Sequence, residues 1–386
     1  MSRFLVVVPP FAGHINPMVG VAAELSRRGH SVAWAGDPEL LGRLLPSGSV
    51  VYPCAGAPVA ERPAQARGFA ALKFLWDDVL VPLAEAMVPG VEQAIAQGRP
   101  DVVVVDQQAF AGALVAERVG VPWATSATTS SEFTDPLAAM PAVAERVAEQ
   151  LSALRGRFGD SGAEGDLRFS PHLVLGFTTP ALVGDVAIPG GPLRFVGPVA
   201  REEAVDSGFP WSWLDSERRL VLVTLGTLNA DAGGRFLREC VAAVGDRPGV
   251  SAVVVAPGDV FAGVEVPDNV LVRDSVPQQA VLDRAAAVVC HAGHNTVCES
   301  LARGLPLVVA PIRDDQPIVA EQVVGAGAGV RVRFAHARAE HIGKALDDVL
   351  DNPVHRQAAQ AVRASFLAAG GAVAAADELV ILSQKR

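Results

Sequence analysis

Between residues 290 and 316 the chain reads Cys-His-Ala-Gly-His-Asn-Thr-Val-Cys-Glu-Ser-Leu-Ala-Arg-Gly-Leu-Pro-Leu-Val-Val-Ala-Pro-Ile-Arg-Asp-Asp-Gln. The pattern is the end of a buried strand, a tight polar turn, a helix, a second buried strand and an acidic turn. His291, Asn295, Thr296, Glu299, Asp315 and Gln316 fall on one rim of such a unit. The N–H groups of a helix start and its positive dipole end favour an anion. The dipole contributes only about 0.3–1 kcal/mol, up to roughly 2 when partly buried. His291 and Thr296 are placed to supplement it, while Asp315 and Gln316 offer acceptors for hydroxyl groups. A diphosphate beside a polyhydroxylated group is the ligand this chemistry fits. A structural reading competes: Thr296-Val-Cys-Glu299 also fits the S/T-x-x-E capping box, which needs no ligand. Asp314-Asp315 could read as a metal pair, but adjacent side chains diverge and no third ligand is evident, so no metal is expected.

A second constellation is suited to moving a proton. His14 lies in the loop after the first apolar run, and an imidazole with an unperturbed pKa near 6.5 suits proton abstraction at neutral pH. Such abstraction typically contributes about 10²–10⁴-fold. Asp106 directly follows another apolar run and could hold the imidazole in one tautomer while stabilising the imidazolium. Taken alone, a loop histidine reads more readily as a turn residue. Thr224-Leu-Gly226-Thr227 adds a loosened turn and a hydroxyl, Thr227, for a second phosphate contact.

These groups require a particular scaffold. Phe4–Val8 is a short continuous apolar run, as in a strand buried on both faces. Asn16-Pro17 reads as a helix cap with proline at the first helical position, and Gly29 ends that helix before a strand at 31–35. A strand at 101–105 and a helix at 109–119 follow. Asp135-Pro136 opens another helix, with Leu137, Met140, Val143, Val147, Leu151 and Leu154 as its apolar stripe. After an aperiodic stretch the rhythm restarts, with strands at 220–224, 251–256, 286–290 and 307–311. Strands alternating with helices imply parallel α/β sheets. Ligands of such sheets bind outside the carboxyl ends of the strands, which is where every residue singled out above falls.

The expected organisation is an N-terminal domain over 1–200, a linker at 201–216 and a C-terminal domain over 217–386. The last helix either stays with the second domain or packs back on the first. A chain of 386 residues exceeds one usual core. With a formal charge of −10 it lacks the basic balance of a nucleic-acid or anionic-membrane binder. The four cysteines form no CxxC pair, which fits reduced thiols in a cytoplasmic protein. No signal peptide, and no run of about 18 apolar residues for a membrane span, is evident.

Together these residues resemble the UDP-dependent glycosyltransferase superfamily with the GT-B fold, over nearly the whole chain. Gly13-His14-Ile-Asn-Pro17 is similar to the family's N-terminal loop, and Val105-Asp106 to the strand end with the partner aspartate. Val276-Pro277-Gln278 through Gln316 is similar to its donor-binding signature. The resemblance implies two Rossmann-like domains whose parallel sheets face each other across a cleft, and an inverting transfer with His14 as base and Asp106 supporting it. It assigns the nucleotide-sugar donor to Thr227, Val276, Gln278, His291, Gly293, Asn295, Thr296, Glu299, Asp315 and Gln316. The acceptor would be a small hydrophobic aglycone on the N-terminal domain, near Phe11, Trp76, Phe110, Phe133 and Met140, each of which reads equally as core. No cofactor is implied beyond the nucleotide-sugar co-substrate, and a monomer and a homodimer fit equally. Asp274-Ser275-Val276 stand where plant members carry a uracil-stacking tryptophan, which leaves UDP and dTDP both open. The His-Ala-Gly-His-Asn-Thr turn is similar to the bacterial branch of zeaxanthin-type and antibiotic-tailoring enzymes. A GT-B nucleotide-sugar 2-epimerase and a non-catalytic homologue that binds a partner remain alternatives. A dehydrogenase is disfavoured, because no G-x-G-x-x-G follows either first strand.

Overall fold

Among the described residues, thirteen short strands, nearly all β-branched or aliphatic, build two wholly parallel sheets. The computed structural model describes residues 1–56, 69–134, 137, 140–199, 208–214, 217–226 and 233–385. The first sheet contains β1 (Arg3–Val7), β2 (Ser31–Gly36), β3 (Val50–Pro53), β4 (Val102–Asp106), β5 (Trp123–Ala127), β6 (Val174–Gly176) and β7 (Leu193–Phe195). Their order is β3-β2-β1-β4-β5-β6-β7. The second contains β8 (Arg219–Thr224), β9 (Val250–Val255), β10 (Val270–Arg273), β11 (Ala285–Cys290), β12 (Leu307–Val309) and β13 (Gly329–Arg331), in the order β10-β9-β8-β11-β12-β13. Both orders reverse beside the first strand of their sheet, as in doubly wound folds.

The chain divides into two compact units: Met1–Thr179, Asp185–Arg201 and Ala369–Arg386 form one, Pro180–Gly184 and Glu202–Ala368 the other. This departs from the sequence boundaries at Pro180–Gly184, a short excursion into the second unit. The expected linker lies outside the described residues at 201–207 and 215–216.

Alternation along the strands assigns side chains to layers. Leu5, Val7, Val103 and Val105 enter the core beneath the helices Val81–Gly98 and Phe110–Val119. Phe4, Val6, Val102 and Val104 enter the opposite core, with Met18, Val21 and Leu25 of the helix Ala12–Arg27. Ala375, Ala376, Leu379 and Leu382 of the helix Gly371–Gln384 fill that same core, so the last helix belongs to the first unit. Burying each valine or leucine contributes about 1.5–3 kcal/mol. Gly112 permits a close approach of helix to sheet, because a Cβ there would meet Val105 Cγ2 at 2.8 Å.

Two helix starts differ from the sequence expectation. The helix Ala12–Arg27 begins five residues before Pro17, so Asn16-Pro17 is not its cap. The Phe11 carbonyl closes the first turn by accepting from the N–H groups of His14 and Ile15 at 2.9 and 3.3 Å. Pro17 therefore sits inside the helix, forgoing a bond to the Gly13 carbonyl. His14 is consequently a first-turn helical residue rather than a loop residue. The helix expected from Asp135 spans Pro141–Phe158, with proline at its start. Val143, Val147, Leu151 and Leu154 form its buried stripe, Leu137 lies before it, and 135–136 fall outside the described residues.

Two helical stretches, Ala70–Gly98 and Pro353–Gln384, have the length and composition of a membrane span. The first owes its composition to Trp76, Leu80, Leu83, Met87 and Val91, all inside the first unit's core. The second is interrupted at Gly370, where φ is +87°.

Candidate functional site

In the first unit the carboxyl ends of β4 and β5 and the first turn of the helix Ala12–Arg27 bring three side chains together. Asp106 ends β4, and its side chain is completely buried, while that of His14 is 18% exposed. His14 Nδ1 lies 2.9 Å from Asp106 Oδ1 and 3.0 Å from Oδ2. Buried carboxylates are costly unless donors surround them. Asp106 also accepts from the Gln108 backbone N–H at 2.9 Å and from the Thr128 hydroxyl at 2.7 Å. Register pairs Asp106 with Ser126, so Thr128 stands two residues beyond the partner strand position. The Phe11 ring packs on the imidazole at 5.6 Å between centroids.

A carboxylate is acceptor-only, so the imidazole must place its proton on Nδ1 to bond to it. Nε2 then carries the lone pair. The arrangement is that of a general base oriented by a carboxylate.

In the second unit the strand-end turn after β11 carries the anion-site residues. Gly293 caps the helix His294–Leu301, with Thr296 three positions inside it. Thr296 therefore does not act as the N-cap of a capping box. Gly293 has no side chain to take up the first-turn N–H groups, which suits an external anion. Ala292 adopts φ +66°, an uncommon conformation for a residue with a Cβ, which aims the turn.

His291 is 8% exposed and wedged between two glycines. A Cβ at Gly226, where φ is +68°, would lie 2.8 Å from His291 Cε1, and one at Gly293 would also lie 2.8 Å from it. Burial pushes the imidazole pKa down to about 4, and Arg313 adds to the effect. The ring is thus neutral at pH 7 and presents one N–H. Among the described residues its Nδ1 has no hydrogen-bond partner of good geometry, although the nearby Thr224 backbone favours the protonated ring.

Gln278 opens the short helix Gln278–Leu282, and its Nε2 donates to Glu299 Oε2 at 2.6 Å, so these two signature residues meet. Val276 is half-buried in the loop after β10. Asn295 lies half-buried in the first turn of the helix it was assigned to. Asp315 caps the helix Gln316–Gly325. Gln316 departs from its expected role as an acceptor, because its Oε1 takes the N–H groups of Ile312 and Arg313 at 2.9 and 3.1 Å. Its amide nitrogen is left as the donor. Thr227 lies outside the described residues.

The acceptor candidates separate into two kinds. Trp76 and Phe110 stack at 5.6 Å inside the first core, 5% and 1% exposed. Phe133 is buried against Phe195, and Met140 packs against the core's edge. Phe11 alone of the five touches His14. The strand-end rule that selected Asp106 also covers Thr128, in the polar run Thr128-Thr129-Ser130-Ser131, yet Thr128 was not singled out from sequence. A groove of about 750 Å³ beside β13, lined by Arg331, Arg333 and Lys344 among others, shares no residue with the His291 turn. Among the described residues, no three His, Cys, Asp or Glu side chains are grouped to hold a metal ion.

Residues 251–382 match the family model described as erythromycin biosynthesis protein CIII-like, C-terminal domain. Over 97% of its length the chain is 30% identical to the 4'-demethylrebeccamycin synthase of Lentzea aerocolonigenes, covering 98% of that protein. A solved structure of the glycosyltransferase of kitacinnamycin superposes with a TM-score of 0.81 at 27% identity, covering 99% of this chain and 98% of that one. A spinosyn rhamnosyltransferase complexed with thymidine diphosphate superposes at 0.78 with 25% identity, covering 98% of this chain and 100% of that one.

Proposed function

The chain belongs to the GT-B glycosyltransferase superfamily as a nucleotide-sugar-dependent transferase of the natural-product branch, and we propose that it transfers a hexose, with inversion, to a hydroxyl of a small lipophilic natural product. The donor in this reading is UDP- or dTDP-linked; the spinosyn relative's thymidine diphosphate complex makes dTDP the first donor to test.

His14 Nε2 takes the proton of the acceptor hydroxyl, and Asp106 stabilises the imidazolium that forms. The oxygen attacks the anomeric carbon as the bond to the β-phosphate oxygen breaks, and the nucleoside diphosphate departs with the electron pair. The first-turn N–H groups from His294 onward and the neutral His291 imidazole hold the departing charge, as pre-organised donors do where charge develops. Glu299, held by Gln278, accepts from ribose hydroxyls, while Asp315 and the Gln316 amide bind the sugar.

One observation carries this reading: His14 Nδ1 at 2.9 Å from a fully buried Asp106, which supports Nε2 as the base. The test incubates the enzyme with UDP- and dTDP-sugars, with and without hydroxylated polyketide or aromatic acceptors, and measures nucleoside diphosphate release. Release that requires acceptor and collapses in His14→Ala is expected. Release without acceptor, or undiminished in His14→Ala, would refute it.

A further inference from the structure

We propose that Thr128 is a positioning residue for proton transfer, fixing which nitrogen of His14 bears the proton and sharing the charge of Asp106. This rests on the reading of His14 as the base. Thr128 is 3% exposed and has one proton to give. Its Oγ1 lies 2.7 Å from Asp106 Oδ2 and 2.9 Å from His14 Nδ1, so it touches both members of the pair.

Only one proton arrangement satisfies the three contacts. Were the hydroxyl to donate to Nδ1, the bare ring nitrogen would face both Asp106 oxygens at 2.9 and 3.0 Å, lone pair against lone pair. Oγ1 and Oδ2 would likewise meet at 2.7 Å with no proton between them. With the hydroxyl donating to Oδ2, Nδ1 faces three acceptor oxygens and must carry the proton. Thr128 thereby disfavours the unproductive tautomer from a buried position.

The same bond tempers the base. A hydroxyl donating to a carboxylate withdraws charge from it and weakens its pull on the imidazolium. Asp106 is a charged group in direct contact with the imidazole, and the Phe11 ring and Thr128 hydroxyl are neutral groups beside it. Thr128→Val keeps the side-chain shape and removes only the donor. Asp106 then keeps the Gln108 N–H and His14 as partners, and its fuller charge draws a proton onto the ring.

The experiment follows the His14 imidazole by NMR in the full chain labelled with ¹⁵N-histidine, assigned with H14Q, beside the pH profile of kcat/KM. In Thr128→Val the imidazole titration and the acid limb should both move up by about one pH unit. Turnover at neutral pH should fall about tenfold with donor KM little changed. Thr128→Ser, which keeps the hydroxyl, should restore both curves. A His14 titration unmoved in Thr128→Val, or a serine variant as shifted as the valine, overturns the assignment. Full turnover in His14→Ala would instead sink the base itself, and the NMR titration would still report on Thr128.

Discussion

Replacing Gly293 by alanine tests the donor turn through a single added methyl group. Gly293 has φ −64° and ψ 134°, a conformation any residue adopts, so the backbone is not strained by the change. The conflict is with His291, whose Cε1 would lie 2.8 Å from the new Cβ and whose Nε2 would lie closer still. The ring must recede by roughly half an ångström or more to reach ordinary contact. Gly226 also comes close to the Cε1 edge of the ring, which restricts how it can move. Overpacking of this kind costs about 1–3 kcal/mol of stability. A displaced His291 also loses its hydrogen bond to the diphosphate, worth about 1.5–3 kcal/mol when one partner is charged, or roughly 10–150-fold in Kd. Calorimetric titration with dTDP and UDP, together with a denaturant melt of the free protein, measures both effects. Gly293→Ala binding nucleoside diphosphate as tightly as the parent would refute the wedged-histidine reasoning. A loss matched by His291→Ala, and not deepened in the double variant, is the expected result.

His14→Ala and Asp106→Asn should each lower kcat by about 10²–10⁴-fold while leaving nucleoside diphosphate affinity nearly intact, as stopped assays and calorimetry would show. His291 imposes an acid limit on stability. An unfolded histidine protonates near 6.5 and the folded one only near 4, so the unfolded chain binds the extra proton between those values. Its contribution is present above pH 6.5 and is lost as pH falls towards 4, by about 3 kcal/mol; in urea melts the parent should lose stability more steeply than His291→Gln across that window and in parallel with it above pH 6.5. Cys54 and Cys290 are buried, and burial pushes both thiols up to about 12, with Cys240 and Cys298 shifted the same way. All four should resist iodoacetamide at neutral pH until urea unfolds the chain, which mass spectrometry would read directly.

Chemistry and periodicity were legible wherever the signal is local. Short continuous apolar runs bounded by turn signals read as strands buried on both faces, so β1, β4, β8 and β11 could be read within a residue or two of their observed ends. Strands of three or four residues at or towards sheet margins, such as β3, β7, β10 and β13, carry too few side chains to show a period. Both misplaced helix starts involve proline, which marks a first turn only when the preceding backbone leaves the helix. At Pro17 it does not, because Phe11 already closes the turn six residues upstream.

Residue identity alone determined which groups could do the work: an imidazole for the proton, a glycine turn before a helix for the anion, carboxylates and amides for hydroxyls. Tertiary structure decided how each group is used. Parallel register set Thr128 beside a dyad whose members are 92 residues apart, and the loop at Ile312 took the acceptor oxygen of Gln316, leaving its donor. Burial between two glycines kept His291 neutral. Hydrogen-bond direction and protonation depend on neighbours delivered by distant chain, and a linear pattern specifies those only through the fold it makes.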